Sequence, residues 1–204
     1  MAESGAGSDE NPAGRTVAGL VSLGLYFYAA MMAAALVWRM GFYGESILFA
    51  SAADEIVGVS PLRDFSVGLG AGLALVVVSL GWAWASRTGR ALASELAALM
   101  GPLGVPNALL LALASGLAEE MFFRGALQPR AGLWLASFLF ACVHFVPRRP
   151  LLPWTLFAAA AGLVFGWLFE WTGNLIAPIT AHVVVNAVNL PLLERYFSPP
   201  AGKG

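Results

Sequence analysis

Glutamate, histidine and arginine are costly at membrane depth, yet this 204-residue chain sets five such side chains in runs otherwise composed for lipid. Glu119 and Glu120, with Arg124 one turn later, close the apolar run that begins at Asn107. His144 lies within Leu133–Val146, and His182 within Leu175–Leu190; the chain has no other histidine. A charged group in the hydrocarbon layer costs about 2.5–3.5 kcal/mol or more, and residues kept there mark ion paths, proton relays or active sites. A carboxylate can take a proton from water, and an imidazole can give or take one near neutral pH. The set suits acid–base chemistry.

Helical spacing sorts the candidates. Glu119 and Glu120 are consecutive, so they point about 100° apart. Glu120 and Arg124 are four apart on one face, in the order that favours an ion pair. Arg124 is therefore expected to neutralise Glu120 and leave Glu119 free as a general base. The plainer reading is a buried ion-pair network that fixes helix packing, but it leaves both histidines unexplained. Phe140-x-x-x-His144 and His182-x-x-x-Asn186 each place two residues on one face. Histidine with an amide one turn away can hold a metal or donate hydrogen bonds to a developing oxyanion. Pro178, four residues before His182, is expected to free the Asn174 carbonyl and bend the helix.

Depth gives an independent check. At 1.5 Å per residue, Glu119 lies about 13 Å from the end of its span at Gln128. His144 lies about 18 Å, and His182 about 10 Å, from the starts of theirs. All three fall in one half of the layer, expected to open toward 128–131 and 171–174.

The elements that must position these residues are membrane helices. The chain is 59% hydrophobic and 11% charged, with mean hydropathy +0.75. A soluble domain carries about a quarter charged residues. The expected fold is all-α, a polytopic membrane bundle of about six spans with one or two interfacial helices. The spans are read at Val17–Trp38, Phe65–Ala85, Pro106–Gln128, Gly132–Val146, Leu151–Trp171 and Leu175–Leu193. The fourth is short and is stopped by Pro147 and Pro150. Residues 41–64 suit an interfacial helix or re-entrant loop, and 87–100 an amphipathic helix on the membrane surface. The seven tryptophans fall mostly near span ends, as interfacial residues do. Gly68-x-x-x-Gly72 and Gly162-x-x-x-Gly166 permit close helix contact. Residues 1–14 and 198–204 read as flexible tails around a single domain at 15–197. A net charge of −1 with no basic patch gives no nucleic-acid footprint. Cys142, the single cysteine, reads as a small packed residue. With six spans both termini share a side. That side collects Arg15, Arg87, Arg90, Arg148, Arg149, Arg195 and Lys203; the other has Arg39, Arg63, Arg124 and Arg130. The bias favours cytoplasmic termini, and the Ala- and Gly-heavy composition suits a GC-rich bacterium, so the expected location is a bacterial inner membrane.

Glu119-Glu120-x-x-x-Arg124, Phe140-x-x-x-His144 and His182-x-x-x-Asn186 resemble, in order, three motifs of the CPBP (CAAX protease and bacteriocin-processing) intramembrane endopeptidases, also called the Abi or type II CAAX protease family. The local text Glu-Glu-Met-Phe-Phe-Arg-Gly is similar to that family's glutamate-to-Phe-Arg-Gly run, and the motif-bearing core is 102–193. The resemblance implies that Glu119, with His144, activates a water that attacks a peptide carbonyl. It implies that His182 and Asn186 stabilise the oxyanion while Glu120 and Arg124 hold the glutamate helix. It also allows the alternative in which these glutamates and histidines ligate zinc. The implied partners are the bilayer and a membrane-anchored protein or peptide. An outward-opening site would match the myxosortases, a subset proposed to cut C-terminal sorting signals. Two other classes fit the same polar groups: a proton- or metal-coupled transporter, though no paired broken helices are evident, and a non-proteolytic membrane scaffold.

Overall fold

The computed structural model describes residues 12–198, and every regular element among them is a helix. The expected tails fall mostly outside the described residues, although Pro12–Gly14 already belong to the first helix. That helix, α1 (Pro12–Leu36), passes into a π-helical turn at Val37–Phe42. A loop bearing the short α2 (Ala52–Val57) leads to α3 (Pro61–Ala85), whose proline sits where a missing N–H costs nothing. Next, α4 (Arg87–Met100) is capped by Ser86, whose hydroxyl accepts the Gly89 N–H at 2.9 Å. α5 (Val105–Glu120) continues through a π-helical turn, Met121–Leu127, into α6 (Gln128–Val143). After a 3-10 turn at Arg149–Leu151 come α7 (Leu152–Thr172) and α8 (Ile176–Phe197).

Among the described residues, five stretches are long and apolar enough to cross a bilayer: Val17–Phe42, Pro61–Ala85, Val105–Val143, Arg149–Thr172 and Ile176–Phe197. The chain is a polytopic all-α membrane bundle. The expected fourth span is the returning arm of the third stretch. Gly132 adopts φ 78°, ψ 165°, a conformation closed to side chains with a Cβ, and the chain doubles back there. The arm after it, Leu133–Val143, is about 16 Å long against roughly 30 Å of hydrocarbon. It stops inside the layer. Its end is nonetheless satisfied, because the Phe140 carbonyl meets His144 Nδ1 at 2.8 Å and the His144 carbonyl accepts Thr155 Oγ1 at 3.2 Å. Irregular backbone at this depth needs such partners.

Small residues set the helix spacing. A Cβ on Gly72 of α3 would come 2.8 Å from the Ala181 carbonyl, and one on Gly68 would overlap Ala177 and Thr180. The glycine pair of α3 therefore seats α8, while Gly116 of α5 lies against Val183 on another side of it. Val76, Phe165, Leu168, Ala181 and Val185 close a core around these contacts. On α7, Gly162 and Gly166 leave room for Arg124 and Gln128.

The order of spans puts the described termini, α4 and residues 149–151 at one end of the bundle. The 43–60 loop, the Gly132 turn and the 172–175 turn lie at the other. The bend expected at Pro178 does not form: α8 starts at Ile176, so the proline sits in the first turn, where no intrahelical donor is required. The Asn174 carbonyl lies 3.2 Å from Thr172 Oγ1, whose hydroxyl also reaches the Leu168 carbonyl at 2.8 Å. Cys142 is exposed rather than packed. Trp84, Trp134, Trp167 and Trp171 are exposed, as interfacial residues are.

Candidate active site

Arg124 and Glu120 are both fully buried. The i,i+4 spacing brings Arg124 Nε to 3.2 Å and Nη1 to 3.4 Å from the Glu120 carboxylate. Nη2 donates to the Gly162 carbonyl at 2.8 Å, and the guanidinium lies over the Phe140 ring at 4.5 Å. One turn on, Gln128 Nε2 donates to the Gly166 carbonyl at 2.9 Å, so Gly162-x-x-x-Gly166 serves as a docking strip for two polar side chains. The second oxygen role of Glu120 is toward α8: Oε1 lies 2.7 Å from His182 Nδ1. The His182 ring is also stacked on Phe165, centroids 5.0 Å apart and planes 17° apart. Both sides of the imidazole are thus fixed.

His144 is held from its own helix, its Nδ1 bound to the Phe140 carbonyl and its ring 4.5 Å from that of Phe140. A carbonyl or carboxylate oxygen only accepts, so Nδ1 carries the proton in both histidines. The Nε2 lone pair of each neutral ring then faces inward. Glu119 Oε2 lies 3.6 Å from His144 Nε2 and 4.0 Å from His182 Nε2, buried and without a protein donor. Three acceptors converge at separations too long for direct bonds, an arrangement that suits a shared donor such as water. One turn beyond His182, Asn186 Nδ2 donates to Ser115 Oγ at 2.9 Å and keeps a second N–H.

A cavity of about 430 Å³ runs from this point. Glu119, His144, His182 and Asn186 line it, while Glu120 and Arg124 stand behind them. All six sequence candidates are brought together. Two residues outside the motifs join them, Ser115 and Tyr28 of α1, whose hydroxyl approaches both Ser115 and Glu119. The signal was present: Tyr28 is a phenol midway along an apolar span, and Ser115 is one turn before Glu119.

The direction of opening differs from expectation. Leu20 of α1, Trp82 of α3, Leu96 of α4 and Leu193 of α8 continue the cavity toward the end that bears the termini. The opposite end is sealed by residues 45–50. There Leu175 N donates to the Leu48 carbonyl and Ala50 N to the Gly173 carbonyl, each at 3.0 Å, and Glu45 pairs with Arg130 at 2.6 Å. A separate hollow at that end, about 370 Å³, reaches none of the six candidates.

The resemblance raised zinc. Ligand atoms bound at 2.0–2.2 Å in a tetrahedral site lie about 3.3–3.6 Å from one another. Among the described residues no group of three His, Cys, Asp or Glu is disposed that way. As placed, the described residues do not form a ligand set.

Residues 101–188 match the family described as type II CAAX prenyl endopeptidase Rce1-like. The match covers less than half of the chain. It contains all six candidates. An uncharacterized protein of Bacillus subtilis (strain 168), YpbD, is 46% identical over 86 residues, which cover 41% of this chain and 44% of that protein. The Golgi apparatus membrane protein tvp38 of Neosartorya fischeri is 30% identical over 105 residues, 46% of this chain and 25% of that protein. The chain thus spans less than half the length of these curated relatives. No solved structure matches. The matched stretch begins at the turn before α5 and ends within α8, so α1, α3 and α4 complete the cavity from outside it.

Proposed function

We propose that this chain is an intramembrane endopeptidase of the glutamic type, hydrolysing a peptide bond of a membrane-anchored protein or peptide. One observation carries the reading: Glu119 Oε2 and two imidazole Nε2 atoms meet, without a protein donor, at the inner end of an apolar cavity. A water held there gives its proton to Glu119, while His144 orients it and its oxygen adds to the substrate carbonyl carbon. Negative charge gathers on the carbonyl oxygen. The free N–H of Asn186 stabilises it, while the O–H left on the added water donates to His182 Nε2, whose Nδ1–H is held by Glu120. Collapse breaks the C–N bond, and the proton on Glu119 passes to the departing amine. Arg124 supports Glu120 and touches no reacting atom.

The cavity opens at the end bearing the termini, which the arginine distribution assigns to the cytoplasm. That arrangement, together with the Rce1-like match, favours a C-terminal tail presented from the cytoplasmic face of a bacterial inner membrane. The outward-facing sorting signal loses its geometric argument. The test is cleavage of candidate membrane-anchored peptides by the purified chain in lipid nanodiscs. Glu119→Ala should lower the rate about 10²–10⁴-fold, the usual worth of a general base. Asn186→Ala should lower it about 10²-fold or more, as loss of an oxyanion donor does. His144→Ala and His182→Ala should be similarly impaired. Undiminished cleavage by these variants rejects the assignment.

A further inference from the structure

A peptide entering an apolar cavity must find partners for its own N–H and C=O groups, since an unpaired one costs about as much as a lost hydrogen bond or more. Beyond the catalytic cluster, the cavity wall has few polar groups. Two of them, Asn189 of α8 and Ser79 of α3, meet one turn past Asn186. Asn189 Nδ2 donates to Ser79 Oγ at 3.1 Å. Ser79 Oγ in turn lies 3.0 Å from the Val76 carbonyl of its own helix, the shorter of its two routes for its single proton, the Asn189 Oδ1 route being 3.3 Å. With the hydroxyl turned to Val76, Asn189 keeps one N–H and its Oδ1 uncommitted. A donor and an acceptor on one planar group match the two faces that a peptide unit presents.

Position agrees with this. His182, Asn186 and Asn189 follow one another along the face of α8 that lines the cavity. Asn189 is about 4.5 Å further along the axis than Asn186. An extended peptide advances about 3.3 Å per residue, so one anchored at the oxyanion site brings its next backbone amides alongside Asn189. We propose that Asn189, oriented by Ser79, is a backbone-binding subsite that holds the substrate in extended form one or two residues from the scissile bond. The proposal rests on the endopeptidase reading. A hydrogen bond that served only to join α3 to α8 would not require both partners to line the cavity, as Ser79 and Asn189 do.

The experiment uses the full chain in nanodiscs and a quenched-fluorescent peptide with an S-farnesyl cysteine followed by three residues. Each backbone amide is N-methylated in turn. Asn189→Ala should raise KM threefold to tenfold, the worth of one neutral hydrogen bond, with kcat changed less than twofold. Methylation at one amide should raise KM by a similar factor in the wild type and add nothing in Asn189→Ala. Asn189→Gln, which restores the amide, should recover most of the loss. Additive effects at every position, or equal falls in kcat and thermal stability with no change in KM, would overturn the subsite while leaving the protease reading intact. Absence of cleavage by the wild type, under conditions where Glu119→Gln is equally inert, would remove both.

Discussion

Arg124 reaches three elements at once. It pairs with Glu120 of α5, lies over Phe140 of α6 and donates to the Gly162 carbonyl of α7, and through Glu120 it fixes His182 of α8. Nothing about it is exposed. Removing one partner of a buried pair leaves the other charge without compensation, at about 3–5 kcal/mol. Arg124→Leu is therefore expected to lower the thermal unfolding temperature in detergent sharply. The double variant Glu120→Gln/Arg124→Leu should recover part of that loss, read by a double-mutant cycle on the same transition. The pairing itself was legible in the sequence, because spacing within one helix fixes which side chains meet. The Glu120–His182 bond was not, since helix periodicity says nothing about partners 62 positions apart. The donor set around Glu119 gives a second expectation at this scale. Activity should survive excess 1,10-phenanthroline, measured as initial rate; loss on chelation with recovery on adding Zn²⁺ would reassign Glu119 and the histidines as ligands.

At the scale of elements, hydropathy located every helix that carries a site residue and put the amphipathic segment at 87–100, where α4 lies. It misjudged the stretch at Gly132–Val146, which reads as a short span because its composition is apolar. Composition does not report that Gly132 turns the chain back and ends the arm at mid-depth. That ending has a use: the C-terminus of a half-length helix delivers His144 to Glu119 from within the layer. The Gly68-x-x-x-Gly72 pair shows the same limit, since its spacing suggested close contact but could not name α8 as the neighbour. Overpacking such a contact costs about 1–3 kcal/mol. Gly72→Val should destabilise the bundle and reduce cleavage, because it pushes on the helix bearing His182 and Asn186. Gly70→Ala, where an added Cβ meets open space, should leave both unchanged. Thermal unfolding and rate measured on the two variants separate these outcomes.

For the whole molecule, counting residues along helices placed Glu119, His144 and His182 in one half of the layer, and the three side chains do meet. The inferred opening was at the wrong end. Depth along an axis does not reveal which end neighbouring segments fill. Here Leu48 and Ala50 bond to the 172–175 turn and close the nearer end, while the small residues Gly24 and Ala93 leave space toward α4. On the proposed protease reading, a site reached from the terminal side, in a chain with most of its arginines there, would take substrates whose tails lie on that side of the membrane. The most direct measurement is a comparison of membrane-protein C-terminal peptides by mass spectrometry. It would use cells that make the wild-type chain, the Glu119→Gln variant or neither. The account predicts new C-termini with the wild type alone, from proteins whose tails face the same compartment as the termini of this chain. Identical sets of C-termini in all three, or the same new ones with Glu119→Gln, would contradict it.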